Sequence, residues 1–296
     1  MDIHLFGATT SSGQSFVTQV SNSTLNWHVY AYSRGCQSGF DFTNPSSFVP
    51  LGDSARPSIW INFAPIWLFA PFVDHLVTAS SSGLSGLKGL ISCSSSSVIS
   101  KRFAFNRFDR DLASSLCGAE DRLLSACQRH DLPCKILRPA MIYGKVGEIK
   151  DRNLSLLLRQ LRNFPVLLLP DESGLRQPIH ASQLASVVLH LAQQLVMTGW
   201  DSSQADRISI GGDLIITYSE MISAIQMAQP PRDAARNCHL VHIPNRFFFL
   251  LAAPLLLFSP KAFESVLRMG ANLCGFTPAY ELLGIEPQPF PLLPLD

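Results

Sequence analysis

The stretch Leu5–Phe16, "LFGATTSSGQSF", sets two glycines around a run of small hydroxyl residues. Such a stretch can do one kind of chemistry. Its backbone amides can hold phosphate oxygens where a strand turns into a helix. Gly7 would permit the tight turn, and Gly13 would let the helix lie close to the sheet. The middle position of the G-x-x-G-x-x-G spacing is Thr10. A side chain there crowds the backbone's approach to the phosphates, although its hydroxyl can donate a hydrogen bond. On these residues alone two readings stay open: a pyrophosphate cradle, or a plain strand-to-helix turn. The next apolar stretch, "VYAYSRG", ends in Ser33 and Arg34. A site for NAD usually carries a carboxylate here for the ribose diol, whereas a hydroxyl and a guanidinium suit a 2′-phosphate. NADP is therefore favoured over NAD; the alternative is that Arg34 is a solvated loop cation.

Other chemistry is weakly supported. His239 and His242 in "HLVH" have no third ligand nearby, and a strand would turn them to opposite faces, so no metal is expected. Cys93 reads as a buried, inert thiol. There is no G-x-S-x-G elbow, no phosphate loop ending in Gly-Lys-Ser/Thr and no H-E-x-x-H.

Elements able to position a cradle are legible. "DIHLFGA", "WHVYAYSR", "SIWINFAP", "GLISCSSS" and "PCKILRPA" read as short buried strands. Asp111–His130 reads as a helix, with Leu112, Leu116, Leu123, Leu124 and Cys127 on one face. Strands joined by crossover helices imply an α/β fold with a doubly wound, Rossmann-type parallel sheet. Beyond Gly144 the pattern loosens into a smaller lobe. "SQLASVVLHLAQQL" reads as an amphipathic helix capped by Ser182, "ISIGGD" as a strand and "TYSEMISAIQMA" as a helix. The expected division is a dinucleotide-binding domain over 1–143 and a substrate lobe over 144–296, with 180–212 returning to the first.

Bulk properties narrow the field. With 296 residues, 47% of them hydrophobic and 15% charged, the chain can build a large core. A net charge of +1 gives no electrostatic case for nucleic acid. The seven scattered cysteines and a start without a signal pattern fit reduced thiols and a cytoplasmic location. The longest apolar run, Phe247–Phe258, is too short to span a bilayer and contains Pro254; it reads as a buried or substrate-lobe helix, or as a membrane-docking surface.

Several segments together resemble the extended short-chain dehydrogenase/reductases, the NAD(P)-dependent nucleotide-sugar epimerases and dehydratases. They are "GATTSSG", "INFAP", "ISCSSSSV", "LRPAMIYG", "RQPIHASQLA" and "LLGIEPQPF", in that order from the N-terminus to about Pro289. The resemblance implies that Gly7, Thr10 and Gly13 lie under a cofactor pyrophosphate and Arg34 beside the adenosine ribose. It implies that Phe63 and Ala64 line the cofactor's ribose side, and that Pro139 approaches the nicotinamide. Ser95 would match the family's catalytic hydroxyl, with the register within Ser94–Ser97 uncertain by one. Arg176 would grip the diphosphate of a nucleotide sugar. Monomer and homodimer stay open.

One departure is severe. The family's chemistry uses Tyr-x-x-x-Lys, the lysine lowering the tyrosine pKa so that the phenolate takes a proton as hydride leaves. Aligned on Glu120, those positions hold Leu112 and Leu116, and none of the five tyrosines has a lysine four residues on. Met141 replaces the asparagine of "RPxNxYG". Tyr143 is the nearest substitute hydroxyl, with Lys101, Arg102 and His180 weaker candidates. The sequence thus supports two functions: a nucleotide-sugar oxidoreductase or epimerase with a non-standard proton relay through Ser95 and Tyr143, or a catalytically silent NADP(H)-binding sensor or scaffold.

Overall fold

The computed structural model describes the chain apart from residues 34–39, 46–47, 53–55, 80–83, 85, 150–151, 201–205, 294 and 296. The five apolar stretches form β1 (Asp2–Phe6), β2 (His28–Tyr32), β3 (Ser58–Asn62), β4 (Leu87–Cys93) and β5 (Cys134–Pro139). Between them lie α1 (Ser11–Asn22), α2 (Ile66–Thr78), α3 (Ser97–Ser100) and α4 (Arg107–Gln128). The second half adds β6 (Ile142–Tyr143), α5 (Arg152–Asn163), β7 (Val166–Pro170), β8 (Leu175–Arg176), β9 (Ile179–His180), α6 (Ala181–Met197) and β10 (Arg207–Gly211). It continues with β11 (Ile216–Thr217), α7 (Tyr218–Met227), β12 (His239–Ile243), α8 (Asn245–Ala252), α9 (Leu255–Phe258), α10 (Pro260–Leu267), β13 (Thr277–Pro278) and α11 (Ala279–Leu283).

Seven strands make one parallel sheet in the order β13-β10-β5-β4-β3-β1-β2. Every residue of β1 and β3 is buried, because helices cover both faces of the sheet. On one face α1 and α6 press Phe16, Val20, Leu184, Val188 and Leu191 onto Ile3 and Leu5. On the other, α2 and α4 enclose an aromatic cluster of Phe6, Tyr32, Phe40, Trp60, Phe69 and Phe72. This is the doubly wound arrangement expected from the sequence. The strand order reverses between β1 and β3, and a crevice opens there beyond their carboxyl ends.

The later segments form the small pairs β7–β12, β8–β11 and β6–β9 around a third core that includes Leu154, Leu158, Leu169, Met221 and Ile222. The chain returns to the main sheet with α6 and β10, and again with β13.

Local chemistry shifts three expected boundaries or environments. Helix α4 starts at Arg107 rather than Asp111, because the Asn106 side chain caps it by accepting the Asp109 amide at 2.9 Å. Helix α6 is capped by His180 rather than Ser182, with Gln183 completing a reciprocal capping box. The run Phe247–Phe258 is not a buried helix. Pro254 divides it into α8 and α9, and only Phe248 in it is buried, while Leu257 and Phe258 are each 85% exposed. Among the described residues no helix is long and apolar enough to cross a membrane.

His4 sits on the aromatic face of β1, stacked against the rings of Tyr30 and Tyr32, with Nδ1 2.9 Å from the Tyr32 hydroxyl. Burial lowers its pKa from 6.5 to about 4, against a smaller opposing pull from Asp2. Between those values the unfolded chain takes up a proton that the folded chain refuses, so stability falls as pH drops through that window. Urea unfolding across pH about 7 to about 4 should show this loss, and His4→Gln should flatten the slope.

Candidate nucleotide-binding clefts

The crevice is built on a close backbone contact. Gly7 turns the chain out of β1 with φ at 81°, and a Cβ there would stand 2.4 Å from the amide nitrogen of Ala64. The loops after β1 and β3 therefore touch with no room for a side chain between them. A Cβ on Gly13 would stand 2.4 Å from the Gly7 carbonyl, which explains the second glycine. Thr10, whose side chain was expected to crowd a ligand, folds back instead. Its Oγ1 donates to the Gly7 carbonyl at 2.9 Å and accepts the Gly13 amide at 3.0 Å. It thereby caps α1, and Thr10, Ser11 and Ser12 together stand on the crevice wall at the start of the helix.

Asn62, fully buried at the end of β3, fixes the opposite wall. Its Nδ2 donates to the Ala64 carbonyl and to Ser92 Oγ, and its Oδ1 accepts the Ala64 amide, each at 3.0 Å.

Two clefts follow. The first, of about 410 Å³, runs from Thr10, Ser11 and Ser12 past Phe63 and Ala64 to Ser95, Leu112 and Leu116. The second, of about 690 Å³, lies between the sheet and the C-terminal lobe and is lined by Pro139, Arg176, Tyr218, Lys101 and Arg268 among others. Both are walled by Ser94, Ser95, Ser97 and Ile142, so they meet at the carboxyl end of β4.

Most of the residues singled out in the sequence come together here. Ser95 faces both clefts; its Oγ accepts the Ser97 amide at 3.1 Å and its own proton remains available to donate. Ser94 faces them too, but its hydroxyl is bound to Glu120 at 2.5 Å. Pro139 borders the second cleft rather than the first. Arg176 also borders the second cleft, with its guanidinium donating at 2.8 Å to the Leu175 carbonyl, at 2.6 Å to that of Ala271, and to that of Arg268. It lies 5.1 Å over the Tyr218 ring, and burial lowers its pKa.

Tyr143 stands apart. It is 2% exposed, lines neither cleft, and its hydroxyl accepts the Leu292 amide at 3.0 Å. Burial pushes its pKa up to about 12, which is the wrong direction for a proton acceptor. Lys101 is spent on Asp109 at 2.8 Å. His180 serves as the cap of α6. Arg34 lies outside the described residues. His239 and His242 are both exposed on β12, and among the described residues no cluster of three metal-ligating side chains occurs.

At the two positions of the missing tyrosine and lysine, the structure has apolar wall. Leu112 and Leu116 lie one turn apart on α4 and both line the first cleft. The titratable side chain lining that cleft is Cys93, whose thiol burial pushes up to about 12.

No family model matches this sequence, and a search of curated proteins finds no match. Solved structures do match. The chain aligns with a nucleoside-diphosphate-sugar epimerase from Staphylococcus aureus at 17% identity and a TM-score of 0.61, over 98% of each chain. It aligns with MoeE5 in complex with UDP-glucose and NAD at 17% identity and a TM-score of 0.58, over 98% of this chain and 94% of that one. A GDP-mannoheptose C4 reductase from Campylobacter jejuni with NADP bound aligns at 14% identity and a TM-score of 0.59, over 82% and 87%. The chain has their Rossmann-type fold.

On that fold, sequence reasoning missed the side chains that hold the clefts in shape. Glu120 is fully buried on α4 and is gripped by Arg138 of β5, whose Nε lies 3.1 and 3.0 Å from its two oxygens. Arg207 of β10 lies 3.3 Å away. Asp109 takes Lys101 and Arg268; burial alone would raise its carboxyl, but hydrogen bonds from Asn106, Lys101 and Arg268 hold it well below the usual range. The signal for Glu120 was its place four residues past Leu116, facing an arginine in "LRPA"; only the fold reveals that they meet. Removing one partner of a buried ion cluster strands the other charges. Glu120→Ala should therefore cost about 3–5 kcal/mol in urea unfolding, and Glu120→Gln less.

Proposed function

We infer that this protein binds NAD(P) in the first cleft and a nucleotide sugar in the second. The observation that carries the reading is the meeting of the two clefts over one run of serines, at the carboxyl end of β4. The first cleft fits a dinucleotide: it lies over a turn packed too tightly for a Cβ at Gly7 or Gly13, with the start of α1 and serine hydroxyls on its wall. The second is larger, cationic at its rim and open to the first. MoeE5, of the same fold, was solved with UDP-glucose and NAD, and the Campylobacter jejuni reductase with NADP. NADP is favoured over NAD because Ser33 and Arg34 follow β2 where a carboxylate would serve the ribose diol.

When bound, the dinucleotide supplies hydride transfer. The chain's own part is narrower. Ser95 would donate a hydrogen bond to a sugar oxygen at the junction. Arg176, riveted by three carbonyls, would set the shape and positive potential of the second cleft. Proton removal would then fall to the substrate or to solvent, since Tyr143 lines neither cleft and Lys101 is held by Asp109.

A second reading is favoured by Leu112 and Leu116. An apolar pair where the family's proton relay stands suits a protein that binds NADP(H) and turns nothing over, acting as a sensor or scaffold.

Titration with NADPH, followed by its fluorescence, tests the cradle. The wild type should bind, and Gly13→Asp should abolish binding, because its carboxylate would sit against the Gly7 carbonyl and repel the pyrophosphate. If both give the same curve, the cradle is not the site. Incubation with NADP and a panel of UDP- and GDP-sugars separates the two readings. For an enzyme, Ser95→Ala should lower turnover roughly hundredfold, in the range of losing one aimed donor. For a sensor, binding persists with no product from any sugar.

A further inference from the structure

Three exposed phenylalanines stand on the short segment before and at the start of α4: Phe103, Phe105 and Phe108, at 88%, 80% and 74% exposure. Linked to this segment through α10 are α8 and α9, whose Leu250, Leu251, Leu257 and Phe258 are also exposed. Helix α10 joins the two groups. Its Glu264 accepts the amides of Phe105 and Asn106 at 3.0 Å each, and it packs against both α8 and α9. The result is one apolar projection of aromatic and leucine side chains rather than scattered exposed residues.

Its rim is basic. In residues 99–111 and 244–268 the exposed charges are Arg102, Arg107, Arg110, Arg246 and Lys261, against the carboxylate of Asp111. Asp109 and Glu264, the other acids of these segments, are turned inward on Arg268 and the 105–106 amides. The whole chain carries only +1, so this excess is local. Arg102 lies 5.4 Å over the Phe103 ring, bringing a cation onto the apolar face itself.

We propose that this projection docks the protein on the surface of an anionic lipid bilayer. Phenylalanine and leucine on one side and lysine and arginine around them are the composition of a segment that lies in the headgroup boundary. Long cationic side chains can reach the phosphates while the apolar tips enter the acyl region. The charges also decide against a second copy of this chain. Asp111 pairs with Arg107 at 3.3 Å, so two such faces brought together would set an excess of four positive charges against another four, a like-charge contact that opposes association. An anionic bilayer neutralises them. The proposal goes beyond the reading of the clefts and stands without it. Because Ser265 and Arg268 of the α10 region and Ser100 and Lys101 also line the second cleft, docking would bring that cleft's mouth to the lipid surface.

Flotation of the full chain with vesicles tests this. The probes are vesicles of phosphatidylcholine alone and of phosphatidylcholine mixed with phosphatidylglycerol. The protein should float with the anionic vesicles, bind the neutral ones far more weakly, and lose binding near 1 M salt, where screening acts within about 3 Å. Arg102→Gln with Lys261→Gln should weaken binding about thirtyfold, at about 1 kcal/mol for each charge. Leu257→Glu with Phe258→Glu should abolish it. Met197→Glu serves as the control: it is an exposed apolar residue at the end of α6, near Leu195, which packs over Gly89 toward the amino end of β4, whereas the projection follows that strand's carboxyl end. It should bind like the wild type. Circular dichroism confirms that each variant is folded, and all these changes lie on exposed side chains. The proposal is overturned if the wild type floats with neither vesicle, if neutral and anionic vesicles capture it equally, or if the Leu257/Phe258 variant binds as well as the wild type. It is equally overturned if sedimentation shows a dimer that the Leu257/Phe258 variant dissociates, for then a second copy covers the face.

Discussion

The peptide of Ala64 lies so close to Gly7 that nothing larger than a hydrogen fits on the glycine. This contact sets the separation of the loops after β1 and β3, and with it the floor of the first cleft. Other features serve to hold it. Asn62 holds both the amide and the carbonyl of Ala64 and ties them to Ser92 with a third hydrogen bond. Thr10 draws its own turn shut, so the one departure from a glycine-rich loop adds rigidity where bulk was expected. Steric exclusion, a short-range and unforgiving force, thereby does what an attractive interaction could not do as accurately.

The second cleft depends on charge. Its walls come from elements remote in sequence, and ionic contacts rather than apolar packing join them at the mouth. Asp109 takes a cation from each side of the cleft, Lys101 from the sheet side and Arg268 from the lobe side. Glu120 ties α4 to β5 and β10 and fixes Ser94 at the junction. Buried charges of this kind add little net stability beside an apolar alternative, but they punish any other arrangement heavily. The Asp109 cluster acts here as a registration device between lobe and sheet.

The layout of the sheet could be read from the sequence because strand burial and helix periodicity are local properties. Each of the five apolar stretches became a strand, and the glycine loop lies between β1 and α1. The failures have physical causes of a different kind. Tyr143 is adjacent to the junction in sequence, but its hydroxyl belongs to the amide of Leu292, near the other end of the chain. Asn62 and Glu120 carry no motif; their value lies in partners that only folding brings near. Phe247–Phe258 reads as core because apolar content usually means burial. Here a proline breaks the run into helices too short to wrap a core, and their side chains are left outside. Helix starts were misjudged by a few residues because Asn106 and His180 supply caps ahead of the first apolar position.

Where the two clefts open into each other they share three serines and one isoleucine. A molecule that shifts those side chains from one cleft changes the surface they present to the other. Thermodynamic reciprocity then requires the influence to run equally in both directions: whatever the first occupant does to the affinity for the second, the second returns in full.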